Sequence, residues 1–191
     1  LEEENTSQLF KKADMVRKNN IGDEVHIRGI IEFSNYCLRS CLYCGLRREN
    51  KKIPRYRMKT YEIIELANEI IQHGVRTIIL QSGDDFGFSQ KMLSEIIKKI
   101  KKENPQVAIT LSIGERPFDD YKAFKDAGAD RYLLKHETAN PVLYERLHPG
   151  QSLKKRIQIL EYLKKLDYQI GAGNIVGLSG QTLKAVSYTH L

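Results

Sequence analysis

The chain has 191 residues, a hydrophobic fraction of 41% and a formal charge of +7, enough for one domain with its own core. No apolar run approaches the roughly 20 residues of a membrane helix, and the start Leu-Glu-Glu-Glu-Asn lacks the pattern of a signal peptide. The basic residues are spread along helix faces (Lys98, Lys99, Lys101, Lys102; Lys154, Lys155, Arg156; Lys164, Lys165) without interleaved aromatics, which reads as solvated helix surface and argues against a nucleic-acid stacking platform.

The chain opens at Leu1 rather than Met, as a piece of a longer protein would. Val25–Phe33 reads as a strand that delivers the chain into a cysteine loop. Thr60 is the expected N-cap of a helix with Ile63, Ile64, Ala67, Ile70 and Ile71 on one face and Gly74 as its stop. Arg76–Gln81 is the next strand, and Ser89 opens a helix burying Met92, Leu93, Ile96, Ile97 and Ile100. Val107–Ser112 is a third strand, followed by a helix over Asp119–Ala127 that stops at Gly128. Arg131–Lys135 is a fourth strand, Ser152 caps a helix through Leu166, and Tyr168–Val176 is a fifth strand. This alternation predicts βαβ units on a parallel sheet in a single domain over residues 1–185. Residues 186–191 break the pattern and read as a non-native tail.

Cys37, Cys41 and Cys44 are the chain's cysteines, spaced C-x3-C-x2-C with Tyr43 before the last thiol and Gly45 after it. Three thiolates can hold three irons of a cubane and leave the fourth open, whereas Fe–S clusters normally take a Cys at every iron. An open iron is the signature of radical S-adenosylmethionine (SAM) chemistry, in which SAM chelates that iron and is cleaved reductively to a 5'-deoxyadenosyl radical. Structural zinc wants four ligands. His26 falls in a predicted strand and His73 at a helix end beside Gly74, where an imidazole caps carbonyls. A disulfide framework wants an even cysteine count in a secreted chain. A non-catalytic Fe–S or zinc module stays open as an alternative. Clustered thiols without a secretion signal point to the reducing cytoplasm.

In parallel sheets and (β/α)8 barrels, ligands bind at the C-terminal ends of the strands. There lie the cysteine loop, Gln81–Asp85, then Ser112, Gly114, Glu115 and Arg116. Lys135, His136, Glu137 and Thr138 follow the fourth strand, and Gly173, Asn174, Gly177 and Gly180 the fifth. Such a rim suits a ligand with an amine, a carboxylate, a ribose diol and a purine.

The cysteine segment Ile31–Arg48 resembles the HydE family of FeFe-hydrogenase maturases, in the radical SAM superfamily. So do Arg55–Met58, Leu80–Gly83, Leu111–Glu115, Ala127–Leu134, His136–Pro141 and Gly171–Leu178, over about Gly22 to Thr182. The cysteine motif is shared by the whole superfamily. The His-Glu-Thr-Ala-Asn-Pro run and the Gln-Ser-Gly strand end are narrower, shared with methylornithine synthase and biotin synthase. The resemblance implies an α/β fold, the TIM-type (β/α)8 barrel, of which this chain carries about five β/α units. It implies SAM cleavage at a 4Fe-4S cluster and work on a small sulfur- and iron-containing precursor of the hydrogenase diiron subcluster. Carried over by position, Cys37, Cys41 and Cys44 hold the cluster with Tyr43 beside it. Gln81, Ser82, Glu137 and Arg156 contact SAM, Arg156 through a two-pronged bond to its carboxylate, and Gly173, Ile175 and Gly177 lie along the adenine. The implied partners are a small-molecule substrate, an electron donor such as ferredoxin or flavodoxin, and other hydrogenase maturases, with no nucleic acid or membrane. Glu137 has a plainer reading as the cap of a following helix, and Arg156 as one more surface cation.

Lys135 stands where the family has Arg on the substrate side, and an ammonium cannot reproduce a planar fork. Ser179 stands where the family has Pro. Five strands against eight leave an open sheet edge, so the isolated chain is expected to hold a cluster but turn over poorly. A related radical SAM enzyme, of methylornithine synthase or biotin synthase type, is the neighbouring alternative.

Overall fold

The computed structural model describes the backbone of residues 3–187 and the side chains of residues 6–187. Five strands, β1 (Gly29–Ser34), β2 (Thr77–Ser82), β3 (Ala108–Ser112), β4 (Arg131–Leu133) and β5 (Gln169–Gly171), form one sheet in the order β1-β2-β3-β4-β5. Every pair is parallel, with Ile31 opposite Leu80, Leu80 opposite Leu111, Leu111 opposite Tyr132 and Tyr132 opposite Ile170. Each strand therefore lies beside its predecessor in the chain, the arrangement of a barrel wall.

The connecting helices are α2 (Thr60–Gln72), α3 (Gln90–Glu103), α4 (Phe118–Asp126) and α6 (Leu153–Lys165), with the short α5 (Pro141–Leu147) before α6. They cover one sheet face, where Ile31, Phe33, Ile78, Leu80, Ile109, Leu111 and Tyr132 meet Ile63, Ala67, Leu93, Ile97, Ile100, Phe124 and Leu163. Each such Ile or Leu stabilises the fold by about 1.5–3 kcal/mol on burial. The alternate residues Ile30, Glu32, Gln81 and Ser112 face the opposite way, and there Ile30 is exposed.

Ser89 and Ser152 cap α3 and α6, their hydroxyls accepting from Met92 N at 3.2 Å and Lys155 N at 3.3 Å. At α2 the expected cap is displaced by one residue. Thr60 is the first helical residue, and the Glu62 carboxylate reaches back to accept Lys59 N–H at 2.6 Å. α4 starts at Phe118, behind Pro117.

The bounds of two strands are corrected. The first strand begins at Gly29, not Val25; residues 22–28 lie outside any strand and Val25 and Ile27 are exposed, since pairing with β2 starts at Gly29 opposite Ile78. His26 consequently lies outside the sheet and is exposed. The fifth strand ends at Gly171; beyond it the ladder resumes only as a bridge between Glu137 and Asn174. Three helices escape the apolar periodicity: α1 (Glu3–Ile21), exposed over residues 7–21, the short α5, and α7 (Leu183–Ser187). Of the expected tail, Val186 and Ser187 close α7, and residues 188–191 lie outside the described residues. Among the described residues no helix is long and apolar enough to cross a membrane.

Candidate functional site

The loop carrying Cys37, Cys41 and Cys44 follows β1 and lies against the end of β2. At Gly83 the chain passes so close that an added Cβ would fall 2.6 Å from Cys37 Cβ and against Tyr36 O. Glycine is what lets the two segments touch. The next two residues anchor the loop from either side. Asp84 O accepts Leu38 N–H at 3.1 Å, and the Asp84 carboxylate takes Arg39 Nε at 2.5 Å. Asp85 receives a two-pronged bond from Arg57 at 2.7 and 2.8 Å and the Ser34 hydroxyl at 2.6 Å. Burial opposes the Asp85 charge, yet the bonds from Arg57 and Ser34 hold its pKa below the ordinary carboxylate value. Asp84 goes the other way, its pKa raised by burial despite Arg39.

Past Cys44 the loop is gathered by one guanidinium. Arg55 donates to Asn35 O, to Leu46 O at 3.0 Å, to Arg47 O at 2.9 Å and to Asn50 O at 3.1 Å. On its far side the loop docks on the end of α5: Leu42 N–H donates to Leu147 O at 2.9 Å, and the Tyr43 hydroxyl lies 2.8 Å from His148 Nε2. His148 stacks on Tyr144 at 4.1 Å, with its Nδ1 2.9 Å from Tyr144 O.

The remaining strand ends converge on this loop. Glu115, 3% exposed in its side chain, accepts Arg156 Nε at 2.8 Å and Arg39 Nη2 at 3.4 Å. Arg156 also donates to Lys135 O at 2.6 Å and to Gln151 Oε1 at 3.1 Å. The surface-cation reading of Arg156 is therefore wrong, because its guanidinium is buried. Three of its five N–H groups are bonded within the protein, which leaves two for a ligand carboxylate. Gly114 makes room for this cluster, since a Cβ there would collide with the Asp84 carboxylate.

Glu137 adopts a left-handed backbone with φ 62°, a conformation that costs a non-glycine residue on the order of 1–2 kcal/mol. It is held there from both sides: its N–H donates to Gly173 O at 2.9 Å and its carbonyl accepts Ile175 N–H at 2.8 Å. Its Oε2 is buried without a partner, and burial raises the carboxyl pKa. The cap of α5 is not Glu137 but Asn140, whose side chain accepts Leu143 N–H at 3.1 Å. His136, buried at 1% exposure, has neither ring nitrogen hydrogen-bonded.

The structure thus gathers Cys37, Cys41, Cys44, Tyr43, Glu137 and Arg156 around the strand ends, with Gly173 and Ile175 against Glu137. Gln81 is the penultimate residue of β2, on the open face between Glu32 and Ser112. Ser82 is turned to its own neighbour, its hydroxyl bonding Gly83 O at 2.8 Å. Lys135 is exposed on the rim, and Gly177 has φ 88° with its N–H donating to Gln181 Oε1 at 3.1 Å. Four supporting residues are silent in the spacing: Arg55, Glu115 in its bridging role, His148 and Gln151. Only the Arg55–Met58 and Leu111–Glu115 runs mark two of them.

The donor set fits an iron–sulfur cubane. The three thiols are unpaired and half-buried, and two have N–H groups directed at sulfur: Arg39 N to Cys37 Sγ at 3.4 Å and Gln151 Nε2 to Cys41 Sγ at 3.7 Å. Burial pushes both thiols up, so ligation displaces protons. Among the described residues no three His, Cys, Asp or Glu groups converge on one point as around a single ion. A cubane, whose cysteines each bind a different iron, asks for no such convergence. His73 is bonded to Glu69 O at 2.8 Å, the capping role its position implies.

The chain is 55% identical over 175 residues to the [FeFe] hydrogenase maturase subunit HydE of Thermotoga maritima, covering 92% of this chain and 50% of that protein. It is 29% identical over 180 residues to the 3-methylornithine synthase of Methanosarcina acetivorans, again covering 92% and 50%. The crystal structure of methylornithine synthase (PylB) superposes with a TM-score of 0.88 at 26% identity, over 97% of this chain and 55% of that one. The chain spans about half the length of the curated relatives it matches. Residues 31–189 match the model of the radical SAM superfamily, and the chain belongs to that superfamily.

Proposed function

We propose that this chain is the SAM-cleaving part of a HydE-type hydrogenase maturase. The observation that carries the reading is the cysteine loop itself: three free thiols in a loop that rests against Gly83 at Cys37, with N–H groups directed at two of the sulfurs. Cys37, Cys41 and Cys44 would hold a 4Fe-4S cluster, which when bound supplies the electron that breaks a carbon–sulfur bond of SAM. Arg156 offers its two remaining N–H groups to the SAM carboxylate, and the unpartnered carboxylate oxygen of Glu137 suits an ammonium or hydroxyl donor. Gln81, Ser82, Gly173, Ile175 and Gly177 line the strand ends where the nucleoside would lie, and Tyr43 packs beside the cluster. The substrate is a small molecule approaching over Lys135. The 55% identity to the Thermotoga HydE supports the maturase assignment over the methylornithine synthase alternative.

The electron comes from a donor such as ferredoxin or flavodoxin, for which the outer side of the loop is open. A cleft of about 300 Å³ there is lined by Tyr36, Cys37, Leu38, Arg48, Lys51 and Arg55. Other hydrogenase maturases are the expected partners downstream, and a reducing cytoplasm suits the free thiols.

Anaerobic reconstitution with iron and sulfide, followed by EPR of the dithionite-reduced protein, tests the reading. A cluster signal that changes on adding SAM is the expected result. A cluster indifferent to SAM, or a protein that takes zinc in place of iron, overturns it.

A further inference from the structure

Gln151 sits between α5 and α6, buried, its backbone N–H fixed to His148 O at 3.0 Å. Its side chain spans two parts of the site that are far apart in sequence. Oε1 accepts Arg156 Nη2 at 3.1 Å, and Nε2 lies 3.7 Å from Cys41 Sγ. The orientation of the amide is dictated by its partners. A guanidinium has only donors, so the end facing Arg156 must be the oxygen and the end facing Cys41 must be the NH2 group. Arg156 is held in turn by Glu115 and Lys135 O, so the amide has little freedom to turn away.

A hydrogen bond to a ligand sulfur lowers the energy of negative charge on the cluster it holds. The reduced cluster carries one electron more than the oxidised one and gains more from the bond, so the donor raises the reduction potential. Burial strengthens the effect, because few water dipoles compete for the same sulfur.

We propose that Gln151 is a positioning residue that raises the reduction potential of the cluster through its N–H to Cys41, while its oxygen keeps the amide aligned through Arg156. The inference rests on the proposed cluster at Cys37, Cys41 and Cys44, and goes beyond it by assigning a residue that touches neither the substrate nor the iron. The two ends of the amide can be separated by substitution. Gln151→Glu keeps an oxygen for Arg156 and replaces the donor facing Cys41 by an anion. Gln151→Leu removes both contacts without adding charge.

The test is an EPR-monitored redox titration at pH 8 of the parent protein and both variants after anaerobic reconstitution, with iron and sulfide content measured on each sample. If Gln151→Leu fails to retain iron, Gln151→Met serves as the apolar variant. The expected result is a midpoint potential moved downward in the apolar variant and further downward in Gln151→Glu. Equal midpoints in all three proteins overturn the inference and leave the proposed function standing. So does a shift in Gln151→Glu alone, which would mean that added charge and not the lost hydrogen bond moved the potential. A parent protein that takes no cluster overturns both.

Discussion

A Cβ on Gly83 would stand 2.6 Å from the Cβ of Cys37, closer than two such atoms approach. Gly83→Ala therefore forces the cysteine loop off the end of β2. The cost is of the order of 1–3 kcal/mol, as for other overpacked sites. Because the displaced element carries the proposed cluster ligands, the iron bound after reconstitution is expected to fall to half of the parent level or less, which a colorimetric iron assay reads. Full iron occupancy in a folded Gly83→Ala protein would show that the contact does not seat the loop.

Arg55 gathers four backbone carbonyls with one guanidinium. An ammonium carries three donors on a single atom and cannot span that fan. Arg55→Lys is expected to destabilise the protein by about 2 kcal/mol, through carbonyls left without a charged donor. Urea unfolding gives the midpoint, and limited proteolysis is expected to cut first between residues 46 and 53.

Glu115 lies between the guanidinium groups of Arg39 and Arg156. Removing one partner from a buried ion pair leaves uncompensated charge and costs about 3–5 kcal/mol. Glu115→Leu is expected to lose that much, and the double variant Glu115→Leu, Arg156→Met to recover part of it. Chemical denaturation of both variants measures the coupling. Additive losses would mean that the pair is not energetically linked.

His136 sets a pH dependence. Burial, then the positive charge of Arg156, lowers its pKa in the folded protein. The unfolded chain accepts the proton below about pH 6.5, the ordinary imidazole value, while the folded chain resists it. Stability from the neutral imidazole is thus full above pH 6.5 and is lost as the pH falls toward the folded pKa. Buried His148 is shifted the same way, also chiefly by burial. The apoprotein is expected to melt at a lower temperature at pH 5.5 than at pH 7.5, and His136→Leu to shrink that difference without abolishing it. An unchanged difference in His136→Leu would assign the whole pH response to other groups.

The sheet and its helices were legible because burial imposes periodicity: Ile63, Ala67 and Ile70 on α2, or Leu93, Ile96, Ile97 and Ile100 on α3, mark one face. Residues 7–21 of α1 are exposed and so give no such signal. Val25 and Ile27 imitate a strand by alternation, yet they lie ahead of the first residue paired with β2. The cysteines, Glu115 and Glu137 stand at strand ends or in motifs that can be read locally, whereas Arg156 is marked only by the family resemblance. Gln151, His148 and the bridging role of Glu115 could not be read that way. Their roles come from partners 110, 105 and 41 residues away, and no spacing within one segment encodes such a pairing.

The separation of 110 residues between Cys41 and Gln151 also has a meaning in time. Synthesis runs from the N-terminus, and each strand of this sheet lies beside the one made just before it. The thiols leave the ribosome first, the seat at Gly83 and the anchors Asp84 and Asp85 follow, and the cover of Gln151 and Arg156 arrives last. A nascent chain thus presents three bare thiols to the cell long before the fold encloses them. Loading of the proposed cluster therefore depends on what meets the chain during that interval as well as on the finished site.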